Sequence, residues 1–237
     1  MVTAESISGS ELPTLPPTSW AVLGMLSYEE EISGYDLKKW CDWSLRYFYW
    51  SPSYSQIYSE LKKLEQHGYA TSRVQRDEGV RGRRLYKITE TGRAAVIAWT
   101  NETPVDPPVL KHHVMLRIAY GHLSSPDRLK EILREHIAYV DKLERRAAID
   151  AGAAKSEPGW AYSQIVLQWS ERYYAAEREL AQQLIDDIDA ADAVLQQARR
   201  GDEAGYPKPV PGHWRDVERW VQAEEAESDG ASDSSSS

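Results

Sequence analysis

The feature that most constrains this chain is the stretch SPSYSQIYSELKKLEQHGY, residues 51–69, which predicts one short helix with both ends marked. Ser53 is a favourable N-cap, and Gln56, three residues later, can complete a capping box. Gly68 suits the left-handed position that follows the last helical turn. A helix with such defined ends has a fixed length and a fixed pair of faces.

The two faces of this helix differ in chemistry. At about 100° per residue, Ile57, Leu61 and Leu64 share an apolar face, with Tyr54 beside them. The opposite face carries small or amide side chains near its start and a lysine further on, namely Ser55, Gln56, Ser59 and Lys62. This polar face is milder than the glutamate- and lysine-rich face typical of a helix that only meets water.

The elements around this helix complete a recognisable order. Two strand-like runs follow it, ATSRVQR and RRLYKIT, and the DEGVRG between them has the glycine and aspartate chemistry of a hairpin turn. Two helices precede it, TSWAVLGMLS and SGYDLKKWCDW, the second with Ser33 as N-cap. A further helix, TETGRAAVIAWTNE, follows the hairpin. This is the order of a winged helix-turn-helix, whose third helix enters the major groove of DNA.

The polar groups of the third helix and the hairpin suit DNA. Small side chains allow close approach, glutamine can bond to an adenine edge, and lysine and arginine neutralise phosphates. The formal net charge of −9 argues against a polyanion, but residues 53–93 hold nine basic and five acidic side chains. The alternative is an ordinary amphipathic helix beside an ordinary hairpin, and the complete order of elements favours DNA. We therefore predict DNA contacts from Ser53, Tyr54, Ser55, Gln56, Tyr58, Ser59, Lys62, Lys63, Arg81, Arg83 and Arg84.

Three segments, GYDLKKW, SQIYSELKKLEQHGY and RGRRLYKITETGR, resemble the motifs of the PadR-type transcriptional regulators. The matching positions are Gly34, Tyr35 and Leu37, then Tyr58, Leu61, Leu64, Glu65 and Gly68, then Gly82, Arg83, Tyr86, Ile88, Thr89, Gly92 and Arg93. The resemblance covers about residues 18–98. It departs from the family at Gln56, where threonine is common, at Ile88, where leucine is usual, and in the aromatic-rich WCDWSLRYFYW.

The resemblance implies a DNA-binding regulator, typically a repressor that a small, often aromatic, ligand relieves. It also implies the larger subtype of the family, in which a long C-terminal helical domain makes a homodimer. The expected fold class is mainly α, with an N-terminal winged helix-turn-helix, a β-hairpin wing and that helical domain.

The chain divides at TPVDPP, residues 103–108, where prolines interrupt the helical pattern. We expect a flexible arm over residues 1–17, the winged helix-turn-helix over 18–103 and the helical dimerisation domain over 108–200. Residues 201–237 read as a linker, a short helix in HWRDVERWVQAEEAE and a disordered acidic tail.

A heptad-like seam runs along the last long helix of the second half. Its apolar positions step by four and three residues, and they are Tyr162, Val166, Trp169, Tyr173, Ala176 and Leu180. We expect this seam to form the dimer contact, since a two-fold protein matches palindromic half-sites. The alternative is packing within the same chain.

Stacked aromatic residues could hold a flat effector, and the sequence offers Trp20, Trp99, Trp160, Trp169 and Tyr173. As effector-site residues we name Trp20, Trp99, Trp169 and Tyr173. Tryptophan and tyrosine at helical spacing are also common in cores and interfaces, so that alternative stays open. Metal ligands are not expected. His112 and His113 point about 100° apart on a helix, and neither His122 nor His136 has a spacing that repairs this. No cofactor is expected.

Other classes of protein fit poorly. The sequence has no phosphate-binding glycine loop, no G-x-S-x-G and no H-E-x-x-H, so an enzyme is not expected. The single cysteine, Cys41, fits a cytoplasmic protein without disulfides, and no signal peptide or membrane span is predicted. The predicted partners are double-stranded operator DNA, a second copy of the chain and a small aromatic effector. The runner-up is a winged-helix adaptor that docks through its aromatic and acidic C-terminal segment.

Overall fold

The computed structural model describes residues 15–28, 31–76, 82–199 and 210–234, with side chains up to residue 226 in the last range. Most of the predicted arm, Arg81 and most of the predicted linker lie outside these residues. The fold is mainly helical with one small antiparallel sheet, which confirms the predicted class. None of the helices in the described ranges is long and apolar enough to cross a bilayer.

Eight α-helices and three strands make up the described chain. The helices are α1 (Pro17–Leu26), α2 (Gly34–Ser44), α3 (Tyr54–Gln66), α4 (Glu90–Glu102), α5 (His113–Ala119), α6 (Pro126–Ala154), α7 (Ala161–Arg199) and α8 (Trp214–Ser234), and the strands are β1 (Ile32–Ser33), β2 (Ala70–Gln75) and β3 (Arg83–Ile88). Two compact units divide the chain. One contains residues 1–112 and 135–180, and the other contains residues 113–134 and 181–237.

In the first unit, α1 to α4 surround the sheet, in which β3 lies between β1 and β2. The hairpin pairs Ala70 with Ile88 at one end and Gln75 with Arg83 at the other. Strand β1 was not predicted. Its two residues are too short to show an alternating pattern, and it pairs Ile32 with Tyr86 in the wing.

The apolar face of α3 forms the centre of the winged-helix core. Ile57, Leu61 and Leu64 are fully buried, against Leu23 of α1 and Leu37 of α2. Burying a side chain of this size contributes roughly 1.5–3 kcal/mol, so these five residues fix how α3 sits. The predicted stripe is therefore confirmed.

A tight turn joins α3 to β2. Gly68 has a φ of 73°, the Tyr69 N–H donates to the Leu64 carbonyl at 2.8 Å, and the Gly68 N–H donates to the Glu65 carbonyl at 3.0 Å. These two bonds are those of a Schellman motif, in which glycine avoids the cost of a left-handed backbone. Because the turn is so short, the positions of α3 and of the wing are fixed together.

The same unit contains residues 135–180 of α6 and α7. Tyr47, from the aromatic connection after α2, is buried among Ala147, Ala151 and Leu167. Its hydroxyl donates to Asp150 Oδ2 at 2.5 Å, and the Tyr174 hydroxyl donates to its backbone carbonyl at 2.5 Å. The aromatic excess in LRYFYW therefore attaches the winged helix to the two long helices.

The second unit contains α5, the first turns of α6, the later part of α7, and α8. Leu129 and Ile188 are buried in it, and Lys130 forms an ion pair with Asp189. Helix α5 ends at Ala119, and a 3₁₀ turn follows at Gly121–Leu123. Helix α8 continues to Ser234, into the stretch expected to be disordered. The predicted domain limits remain a prediction.

Candidate nucleic-acid interface

The residues predicted to contact DNA lie on α3, at its N-cap and on β3. Six of them are exposed at the N-cap or in the first turns of α3, namely Ser53, Tyr54, Ser55, Gln56, Tyr58 and Ser59. Lys62 is exposed and Lys63 is half-buried, while Arg83 and Arg84 are exposed on β3. Arg81 lies outside the described residues.

An open groove separates α3 from the wing. It has a volume of about 510 Å³ and is lined by Tyr58, Lys62, Glu65, Gln66, Arg84 and Tyr86. Burial raises the pKa of Tyr86, even though Arg84 acts to lower it, so the phenol stays protonated. The groove therefore presents cations from two elements beside hydrogen-bonding groups, a combination that suits a sugar–phosphate backbone.

Gln56 has a structural role that limits its base-reading role. The side-chain Oε1 of Gln56 accepts from the backbone N–H of Ser53 at 2.8 Å. The backbone N–H of Gln56 donates to Ser53 Oγ at 3.3 Å. This is the predicted capping box, now confirmed. Bidentate recognition of adenine needs the oxygen and the nitrogen of one amide together. While Gln56 caps α3, only its amide nitrogen can reach a base.

Lys63 is similarly engaged within the protein. Its Nζ lies 2.7 Å from Glu60 Oε1, and the buried Ser19 donates to the other carboxylate oxygen of Glu60. Glu60 is only 7% exposed, so Lys63 supplies the neutralising charge for a nearly buried carboxylate. Lys62, which lines the groove, is better placed than Lys63 to meet a phosphate.

Sequence reasoning missed an aromatic and basic surface on α2. Tyr35 stacks on Tyr54 with ring centroids 5.5 Å apart, and Lys39 lies over the Tyr35 ring at 5.5 Å. Gly34 supports this surface, because a Cβ there would come within 2.5 Å of a ring carbon of Tyr58. The spacing of Tyr35 and Lys39 on one helix face, in GYDLKKW, was the available signal.

A second cavity of about 220 Å³ lies in the same unit. Its lining is mostly aromatic and comprises Met25, Tyr28, Ile32, Trp40, Trp43, Ser44, Trp160 and Ser163. The indoles of Trp40, Trp43 and Trp160 contact one another, with centroids 5.2–5.6 Å apart. The unusual aromatic density of WCDW was the signal in the sequence.

The four aromatic residues predicted for an effector do not line that cavity. Trp20 is buried in the winged-helix core, where it stacks on Trp99 at 5.4 Å. Trp169 and Tyr173 stack on each other at 5.2 Å along α7. The structure therefore brings these residues together in two separate pairs rather than in one site.

The predicted dimer seam faces outward along α7. Tyr162 is 85% exposed, Trp169 50% and Leu180 57%, while Ala176 is exposed and Val166 is half-buried. Apolar side chains this exposed in a row are typical of a surface that another chain covers.

Two histidines and a glutamate meet in the first unit. The spacing of His112 and His136 in the sequence did not indicate that they lie together, but both side chains point at Glu177. His112 Nε2 and His136 Nε2 lie 2.7 Å and 2.8 Å from Glu177 Oε1. Spacing within one helix gave no indication of this, since the three residues come from three segments. Partial burial acts to raise the pKa of Glu177, but its bonds to the two histidines outweigh burial and lower that pKa.

Cys41 is buried in the winged-helix core, and burial raises its pKa to about 12.

Known proteins resemble this chain in sequence and in fold. Residues 22–98 match the family described as the transcriptional regulator PadR-like family. The negative transcriptional regulator PadR of Bacillus subtilis is 30% identical over 129 residues, which is 54% of this chain and 66% of that protein. Part of that relative therefore lies outside the match.

Two solved structures of the Bacillus subtilis protein superpose on the chain. The one in complex with operator DNA has a TM-score of 0.61 at 23% identity, over 72% of this chain and 98% of that one. The one in complex with p-coumaric acid has a TM-score of 0.57 at 23% identity, over 72% and 98%. At these identities the superpositions establish the shared fold.

Proposed function

We propose that this chain, which belongs to the PadR-like family of transcriptional regulators, is a homodimeric repressor that binds a palindromic operator. Its relatives are regulators of transcription and not enzymes. The observation that carries the proposal is the groove in which Lys62 of α3 and Arg84 of β3 face the same space. The operator complex of the Bacillus subtilis protein, which has the same fold, supports it. An operator on the chromosome implies a cytoplasmic protein.

In the proposed complex, α3 enters the major groove. Ser55 and Ser59 approach base edges because their side chains are short, and Gln56 offers its amide nitrogen while it caps the helix. Lys62, Arg83 and Arg84 contact phosphates, since they lie further along α3 and on the wing. Such contacts position the protein on any sequence, whereas the residues near the start of α3 select the operator.

Fluorescence anisotropy with a duplex from the chain's own promoter region, at two salt concentrations, tests the phosphate contacts. Lys62→Ala and Arg84→Ala should each weaken binding to every duplex and reduce the slope of log K against log salt by about 0.9. Lys155→Ala, an exposed lysine in the turn before α7, is the matched control and should leave the slope unchanged.

Binding to duplexes that does not depend on salt would contradict the proposal. A stable protein partner that survives DNase treatment, together with no DNA affinity, would instead favour the adaptor. The exposed Trp214 and Trp220 of α8 would be its docking residues.

Dimer formation through the α7 seam is the second part of the proposal. A charge at Leu180, which is exposed in the single chain, would be buried without a partner in the dimer. Leu180→Glu should therefore give monomers in sedimentation velocity at concentrations where the wild type is dimeric. Ile149→Glu, an equally exposed change on α6, is the control. A dimer unaffected by Leu180→Glu would place the interface elsewhere.

The effector we propose is a small, flat, mostly apolar molecule in the tryptophan-lined cavity. The volume of about 220 Å³ suits a single aromatic ring, and the hydroxyls of Ser44 and Ser163 can bond a polar substituent. The p-coumaric acid complex of the Bacillus subtilis protein supports a ligand of this class. Trp40 and Trp43 lie on α2, which packs on α3, so a ligand there can alter how α3 is held.

Quenching of intrinsic tryptophan fluorescence by one-ring aromatic acids tests the cavity. Trp160→Leu should abolish saturable quenching, whereas Trp220→Leu on α8, outside the cavity, should retain it. Equal quenching in the two variants would argue against this site.

A further inference from the structure

Three potential metal ligands meet in the first unit, although they come from distant parts of the chain. His112 precedes α5, His136 lies on α6 and Glu177 lies on α7. Their side chains are 15%, 16% and 16% exposed, and one ligand atom from each lies within 4.8 Å of the others. We infer that His112, His136 and Glu177 form a binding site for a divalent transition-metal ion of the Zn²⁺ class.

The convergence of the donor atoms is the first argument. Both Nε2 atoms approach the same oxygen of Glu177, at 2.7 Å and 2.8 Å. The two imidazole rings stand edge to face with centroids 5.1 Å apart. Three donors from three segments that lie this close together can act as one ligand set.

The type of donor selects the metal. Imidazole nitrogen suits zinc, copper, nickel and iron, whereas magnesium and calcium prefer ligand sets made of oxygen. Two histidines and one glutamate are a known donor set for Zn²⁺, with a fourth position left for water or another ligand. We therefore expect Zn²⁺ and Co²⁺ to bind, and Mg²⁺ not to compete with them.

Ion binding requires small movements of the side chains, in which each nitrogen moves away from the carboxylate oxygen and the two nitrogens, which lie within 4.8 Å of each other, come to about 3.3 Å. With metal–ligand bonds of about 2.0–2.1 Å and tetrahedral angles, donor atoms lie about 3.3 Å apart. The two nitrogens must therefore each move about half an ångström away from the carboxylate oxygen. Side-chain rotation of partly exposed residues can supply a movement of that size, and the backbone of α6 and α7 can stay in place.

The ion would connect segments that are far apart in the sequence. Glu177 is 65 residues from His112 and 41 residues from His136. His112 ends the extended stretch that follows α4, so the ion would tie that stretch to both long helices. This role requires neither DNA nor the effector, and the inference stands independently of the proposed function.

Metal binding to the chelator-treated full-length chain tests the inference. Equilibrium dialysis against Zn²⁺ should give about one ion per chain in this site. Bound Co²⁺ should show visible d–d absorption bands of the kind that an ion with few ligands gives. His136→Ala and Glu177→Gln should each weaken Zn²⁺ affinity at least about 100-fold, because loss of even an outer-shell partner costs 10–100-fold.

Two matched controls separate this site from adventitious binding. His113→Ala removes the neighbouring exposed imidazole, and Glu179→Gln removes an exposed carboxylate of the same helix. Both should bind Zn²⁺ as the wild type does. Glu177→Gln keeps the shape of the side chain, and circular dichroism checks its fold. Three results would each overturn the inference. They are equal Zn²⁺ affinity in Glu177→Gln and the wild type, a loss of affinity in the controls as large as in the site variants, and no Zn²⁺ binding at all.

Discussion

The contact between Tyr47 and Asp150 gives the sharpest test of how the winged helix is attached to the long helices. Asp150 is 2% exposed, and Tyr47 donates to its Oδ2 at 2.5 Å. Tyr47→Phe removes only the hydroxyl, so the ring can keep its place among the alanines of α6. The variant leaves Asp150 with one fewer donor, in a place that water reaches poorly.

The expected loss of stability depends on the hydrogen-bond donor that Asp150 keeps in the variant. A hydrogen bond to a charged group contributes about 1.5–3 kcal/mol. Arg146 Nε still donates to Asp150 Oδ2 at 3.0 Å, so the lower part of this range applies. We expect Tyr47→Phe to lower the free energy of unfolding by about 1.5–2 kcal/mol. Since 1.4 kcal/mol is tenfold, this is about a 10- to 30-fold change in the unfolding equilibrium.

Urea unfolding of a double-mutant cycle measures this energy. The cycle compares the wild type, Tyr47→Phe, Asp150→Asn and the double variant, and the coupling energy should exceed about 1 kcal/mol. Tyr139→Phe, at a tyrosine of α6 that is 59% exposed, should change stability by less than about 0.5 kcal/mol. A coupling energy near zero would refute the reasoning, because the two groups would then act independently.

Two further changes have expected outcomes. Gly34→Ala should displace the Tyr58 ring, which a Cβ would approach to 2.5 Å, and reduce DNA affinity in the anisotropy assay, whereas Gly24→Ala, with no atom within 4 Å, should leave it unchanged. Equal affinities for the two variants would contradict this. Burial acts to raise the pKa of Asp42, but its hydrogen bond to Lys38 is among the causes that outweigh burial and hold that pKa below its ordinary range. Asp42→Asn should therefore lower stability at neutral pH by less than about 1 kcal/mol, and the difference should vanish as the pH falls through the lowered pKa. A difference that persists in acid, measured by urea unfolding, would show another cause.

Local signals in the sequence were sufficient for α3 and its ends. Ser53, Gln56 and Gly68 act within one or two turns of the chain, so their roles follow from spacing alone, and the structure confirms all three. The same holds for the hairpin, whose turn chemistry and strand pattern are local. The predicted family and fold class rest on these elements.

Contacts between distant residues were not accessible in this way. Tyr47 and Asp150 are 103 residues apart, and no periodicity relates them. His112 and His136 were judged by spacing within one helix, although the third ligand candidate, Glu177, lies on another helix. Two-residue β1 exists only because β3 offers it a partner. Each of these features depends on how complete elements pack, and one sequence does not contain that information locally.

The capping box of α3 has a consequence for how such a regulator can acquire new target genes. Gln56 holds the first turn of α3 with its oxygen, and in the proposed complex it also stands where a base is read. A substitution there alters helix stability and operator preference in one step, with a cap worth about 1 kcal/mol at stake. Ser55 Oγ lies 2.9 Å from the Oγ of the N-cap Ser53, whereas no cap contact involves Ser59, so operator preference can drift at Ser59 with less effect on folding. Within this chain, we expect divergence of target sites to occur there first.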